Sequence, residues 1–393
     1  MKFSFAVKSI LCLPLFVLVP GVTFAQTFSS GSTGADGALS FTTPGTYVFN
    51  PKTFSPPLDP SGDGIFNFTT INIAAGVTLQ LTGSVFNGPV VWLAQGAVQI
   101  NGTIDISGQD GFNASNTTQR TYTIAGAGGY PGGYPAVGSN PAGPGLGAGG
   151  GGVQNEFCGG QGFSQSGGFT GNQFLVPLIG GSGGGGYVGY AGGAGGGAIL
   201  IASTVSISGA GSIKANGGAS SSASGSGAGG GIRLVAPTVS LTGLLNASEG
   251  TRYSACQGGS DGVVRIEAFT IGAINASGNL YTATPFGLFV SSTGVPSISV
   301  LSVGGNPVAT SPTGTFTMPD VTVNSNSPLP VSITASNVPV GTVVTLVIFS
   351  ENGPDQSIMS TPLAGTLASS SATASVTLPS GFSKGFVKAT YTQ

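Results

Sequence analysis

No histidine occurs anywhere in the 393 residues, and Asp, Glu, Lys and Arg together make up only 6% of them. The first absence removes Ser-His-Asp and Cys-His catalysis. With only three cysteines, it also removes the usual ligand set of a zinc centre. The second leaves 10 basic against 12 acidic residues, so no basic patch offers itself to nucleic acid or to an anionic membrane. Long apolar runs are missing too. The longest lies near residues 10–19, well short of the roughly 18 residues a transmembrane helix needs. Helical periodicity at 3.6 residues is absent beyond that run. The glycine tracts lack the lysine-threonine ending of a phosphate cradle, and no helix follows them.

Three features stand in place of these. The chain opens with Lys2 and Lys8, an apolar run and the small-residue sequence Thr23-Phe24-Ala25. That is the form of a secretory leader over 1–25, and it predicts a secreted or cell-surface protein. Export makes a disulfide between the two remaining cysteines, Cys158 and Cys256, a natural expectation; two unpaired thiols are the alternative.

The second feature is an internal repeat of apolar strand, small-residue corner and short strand. It recurs in "GIFNFTTINIAAGVTLQLTG", "VVWLAQGAVQINGTIDISG", "AILIASTVSISGAGSIKANGG", "IRLVAPTVSLTGLLNASEG" and "VVRIEAFTIGAINASGN". Ile71, Val98, Val205, Val239 and Ile271 serve as anchors. No such unit can bury its own apolar side, so the repeat predicts an all-β fold of stacked units, a right-handed parallel β-helix over 26–290. Five residues before each anchor stand Phe66, Leu93, Leu200, Leu234 and Ile266, read as the inward column. Six before stand Ile65, Trp92, Ile199, Arg233 and Arg265, read as outward because side chains alternate along a strand.

The third feature is glycine, 71 residues without a strict three-residue period, which excludes collagen. The tracts fall between repeat units, at 125–197, 217–231 and 250–262, and predict excursions on one side. Prolines and tyrosines in "GAGGYPGGYPAVGSNPAGPGLGAGGGG" favour packed, polyproline-like strands; flexible linkers are the alternative. From residue 295 to 393 the tracts stop and alternating strands follow, predicting an immunoglobulin-like β-sandwich.

Candidate chemistry is sparse. Asp36, Asp59, Asp63, Asp105, Asp110, Asp261 and Glu267 are the carboxylates a glycosidase-like pair could draw on, although turn chemistry accounts for most of them. An oxygen-rich turn, "SGQDGFNASN", could take Ca2+ but matches no defined loop; no other cofactor is expected. Arg233 and Arg265 fall at equivalent positions one unit apart, with Glu267 on the same face and Trp92 in the same column. Two readings stand. These residues form a sugar- or carboxylate-binding strip, or a glycine-rich excursion covers the face and the arginines donate to its carbonyls.

The block "GSTGADGALSF…GIFNFTTINIAAGVTLQLTG…PVVWLAQGAVQINGTIDISGQDG" resembles secreted bacterial glycine-rich β-helix proteins. The unit "VVWLAQGAVQINGTIDISG" is similar to those of filamentous-haemagglutinin-type adhesins, although their Asn-Pro-Asn-Gly signature is missing here. The resemblance covers residues 30–279 and implies a fold and an adhesive setting, but carries no catalytic residues. The expected function is a non-enzymatic surface or matrix scaffold, meeting polysaccharide, other matrix components or itself. A polysaccharide lyase or glycoside hydrolase on the same scaffold is the alternative.

Overall fold

A computed structural model describes residues 28–59, 64–114, 120–138, 141–153, 156–158, 161–254, 258–285, 296–308, 320–350, 354, 356–381 and 383–389. The expected leader, 1–25, lies outside them. So does the proposed disulfide, since Cys256 is not described and Cys158 is described only as backbone. No helix among the described residues is long and apolar enough to cross a membrane.

The chain is all-β and is dominated by one 13-stranded parallel sheet. Its strands are β1 (Gly37–Phe41), β2 (Gly45–Val48), β3 (Ile65–Ile73), β4 (Val77–Gln80), β5 (Val90–Ala94), β6 (Val98–Ile100) and β7 (Thr103–Asp105). A short hairpin follows, β8 (Glu156–Cys158) and β9 (Gln161–Phe163), outside the large sheet. The sheet resumes with β10 (Ala198–Ser203), β11 (Ser206–Gly209), β12 (Ser212–Lys214), β13 (Gly231–Asn246), β14 (Val263–Ser277) and β15 (Asn279–Ala283).

Successive passes of the chain lie on one another in three columns. The first runs through the start of β3, then β5, β10 and the starts of β13 and β14 to β15. The second runs through β1, the end of β3, β6, β11 and the middles of β13 and β14. The third runs through β2, β4, β7, β12 and the ends of β13 and β14. Every pairing in the columns is parallel. The side chains between them form one continuous apolar core.

Register corrects two of the five residues of the expected inward column. Phe66, Leu234 and Ile266 point into the core, but so do Trp92 and Ile199, both 0% exposed. Leu93 and Leu200 instead lie on the outer face of the first column. The cause is one residue of corner length. Ala94 to Val98 and Ser203 to Ile207 are each one residue longer than Phe68 to Ile71, Ala236 to Val239 and Ala268 to Ile271. With a side-chain period of two, one extra residue exchanges the faces. The third anchor also moves, since Ile207 pairs with Val98 and Val239 while Val205 is exposed.

Among the described residues, the glycine-rich stretches 180–186, 191–197 and 223–231 are buried and hydrogen-bonded to one another and to their neighbours. Amides of Gly192 and Gly195 donate to Gly133 and Tyr130, those of Gly193 and Gly196 to Gly225 and Ala228, and those of Ala194 and Gly197 to Gln109 and Ile106. Partners therefore repeat every third residue, so residues 192–197 meet three neighbouring strands in turn. Three residues per turn is the polyproline II repeat, which has no internal hydrogen bonds and leaves every amide free for a neighbour.

After residue 296 come β16 (Ser297–Val303), β17 (Asn306–Pro307), β18 (Leu329–Ser336), β19 (Val343–Ser350), β20 (Gln356–Pro362), β21 (Ala364–Gly365), β22 (Ser370–Val376) and β23 (Ser383–Ala389). They form two antiparallel sheets, β17-β16-β18-β22-β21 and β20-β19-β23. Val331 and Ile333 of one sheet share a core with Val344 and Leu346 of the other. Strand alternation supplies this core, with Val331, Ile333 and Ala335 of β18 buried.

Candidate functional site

The outer face of the first column carries the charged residues singled out in the sequence. Arg233 and Arg265 are direct register partners, as are Val235 and Glu267, so the carboxylate lies diagonally across from Arg233 and two residues along from Arg265. Glu267 Oε1 accepts from Arg233 Nε at 3.0 Å and from Arg265 Nε at 2.7 Å. All three side chains are buried, Glu267 at 1% exposure. Like charges one strand apart repel; the shared carboxylate is what allows them to stack. Trp92 does not join them, because it lies on the opposite side of the sheet.

Segment 172–179 covers this face. Asn172 shapes it, its Oδ1 accepting from the amides of Phe174 and Val176 and its Nδ2 donating to the Val176 carbonyl. Leu175 sits at φ +49°, a left-handed conformation unusual for a branched residue. Its side chain reaches Gly231, where an added Cβ would lie 3.0 Å from Leu175 Cδ2. Arg265 Nη1 donates to the Gln173 carbonyl at 3.4 Å, and its guanidinium lies 5.1 Å from the centre of the Phe174 ring. Leu93, Leu200, Ala202 and Val235 complete the covered face, packed against Phe28 and Leu178. Chemically this is a clamp. One glutamate fixes two arginines, Arg265 holds the covering segment to the sheet, and the carboxylate is enclosed at 1% exposure.

The remaining candidate carboxylates hold the backbone. Asp36 accepts from the amides of Asp59 and Asn67, and Asp59 from that of Gly64. Asp105 accepts from Ser107, Asp110 from Ala219 and Asp261 from Glu249, all at 2.7–3.0 Å. Asp63 lies outside the described residues. Among those residues no group of three or more acidic or cysteine side chains is placed to hold a metal ion. In the turn considered for Ca2+, Asp110 and Gln109 both accept backbone amides, while 115–119 lie outside the description.

The second and third columns face solvent, and here the structure shows what sequence reading missed. On the second, Asn72, Gln99, Ser208 and Ser240 stand in register on successive strands. On the third, Thr78, Thr103 and Ser212 form one ladder, and Gln80, Asp105, Lys214 and Asn246 another. None of these side chains is buried. Rungs repeat at the interstrand spacing of about 4.8 Å. A signal was present in the polar residue directly after Ile71, Val98, Ile207 and Val239, but it required the true register.

No family model, no curated protein and no solved structure matches this chain.

Proposed function

We propose that this is a secreted, non-enzymatic surface or matrix protein of a bacterium that binds neutral glycan and serves as an adhesive scaffold. The observation that carries the reading is the pair of open faces with hydroxyl and amide ladders. Such rows offer hydrogen bonds at a regular pitch with almost no charge, which suits a partner that is itself uncharged and rich in hydroxyls. The three columns support a right-handed parallel β-helix as the scaffold, because parallel crossovers take that hand almost without exception. The two facing antiparallel sheets support an immunoglobulin-like sandwich after residue 295. Their separate hydrophobic cores support two domains, 26–290 and 295–393. The leader at 1–25 supports export, and kinship with adhesin-like β-helix proteins is part of the same proposal.

A glycan array combined with a turnover screen on residues 26–393 tests the function. Binding to neutral polysaccharide without depolymerisation, weakened by Gln99→Ala with Ser208→Ala, is expected. Depolymerisation lost in Asp105→Asn or Asp110→Asn would replace the proposal with the enzyme. Absence of any glycan binding would remove it.

A further inference from the structure

The stack of strands stops abruptly at β14. β15 covers its beginning, but among the described residues nothing pairs with the outer edge of 270–277. One pass earlier, Val239, Leu241 and Leu245 are each 0% exposed. Their register partners Ile271, Ile274 and Ala276 are less covered, Ile271 being 39% exposed and the other two only partly buried. Among the described residues, the last row of the core thus lacks the layer that every earlier row has.

The opposite end stops in the same two columns. Among the described residues β1 pairs only with β3, and β2 only with β4. Val48 is 54% exposed there, and with Phe41, Tyr47 and Phe54 it lines a hollow. Protected sheet edges usually carry lysine, other charges or proline. Neither "TIGAINAS" at one end nor "GALSF" and "GTYV" at the other contains any of these.

We propose that the chain assembles head to tail, the 270–277 edge of one copy adding to β1 and β2 of the next. Because all column pairings are parallel, this arrangement continues both columns with no change of strand direction. It sets small Ala276 against bulky Tyr47 in the third column, and gives Ile271 and Ile274 the covering layer they lack. The contact joins two different surfaces and does not close on itself, so it builds chains rather than dimers. It is independent of the glycan reading.

Sedimentation velocity of residues 26–393 over a wide concentration range tests it. The expected result is a ladder of oligomers that lengthens with concentration. Ile271→Lys and Val48→Lys should each leave only monomer, with unchanged circular dichroism and melting temperature. Thr270→Lys on the same exposed edge substitutes if Ile271→Lys does not fold. Mixing the two variants should restore dimers and nothing longer, since each retains one competent end. A wild type that stays monomeric overturns the proposal. So does Val48→Lys assembling like wild type, which would indicate a symmetric contact between 270–277 edges, and so does a mixture that remains monomeric.

Discussion

Trp92 is the only tryptophan in the chain, and it sits among Phe49 and Phe68, whose rings meet it edge to face at 5.4 and 6.0 Å. Its side chain is 0% exposed, and among the described residues its indole N–H has no acceptor. Native fluorescence should be blue-shifted and resistant to iodide, moving red only on unfolding. Trp92→Ala should cost about 3–5 kcal/mol, read from urea midpoints; a solvent-like native spectrum would contradict the placement. Glu267 is a different kind of residue, because it neutralises two buried guanidinium groups. Glu267→Ala leaves both charges without it and should cost about 3–5 kcal/mol, whereas replacing all three by packed apolar residues should recover most of that loss. Tyr130 adds a pH effect. Burial raises its hydroxyl pKa above 10.0, so above about pH 10 the unfolded chain loses this proton before the folded one. Stability should therefore be intact below pH 10 and fall as pH rises beyond it. Tyr130→Phe should flatten that part of the urea-stability profile, and an unchanged slope would count against it.

At the scale of elements, the glycine strands show why one residue type is required. A Cβ on Gly195 would lie 1.8 Å from the Gly181 carbonyl oxygen, and one on Gly196 2.0 Å from that of Ala215. No rotamer relieves a clash of Cβ with backbone, so neighbouring strands must separate and release hydrogen bonds in a buried place. Gly195→Val should lose at least about 1–3 kcal/mol and become open to protease cleavage within 120–197. Gly88→Ala is the matched control, because nothing lies within 4 Å of its added Cβ, and it should be silent. Rapid cleavage of the wild type at the same sites would mean that these strands do not pack in solution. The clamp belongs to this scale too. Arg233 and Arg265 are spaced legibly in the sequence, yet the segment that Arg265 holds comes from 172–179, far away in the chain and without a motif that points to them.

Across the whole molecule, stability comes from burial and backbone hydrogen bonds rather than from charge. The stack is one apolar core from Leu39 to Ala268, and the glycine strands extend it with hydrogen-bonded backbone. Ion pairs form small groups, such as those of Glu267 and the partly buried Arg252–Glu249 pair. Urea stability should accordingly shift by less than about 0.5 kcal/mol between ~0.01 and ~1 M NaCl, since salt screens only exposed charge. A strong salt dependence would reveal electrostatic terms that this architecture does not contain.

Composition and repeat alone determined that the chain is all-β, that its units stack in parallel, and that the glycine tracts lie between passes on one side. Those features are local. Alternation marks strands, corners recur at similar distances, and a unit with an apolar side needs a neighbour to cover it. Phe66, Leu234 and Ile266 were legible as core for the same reason. Facing was not legible in the passes through Trp92 and Ile199, where one additional corner residue inverts inside and outside. Only pairing between strands fixes which residue opposes which, and with it the polar ladders, the Arg–Glu clamp and the two open ends. These depend on contacts between residues far apart in the chain, set by tertiary register, and a period of two cannot report register when corner lengths differ by one.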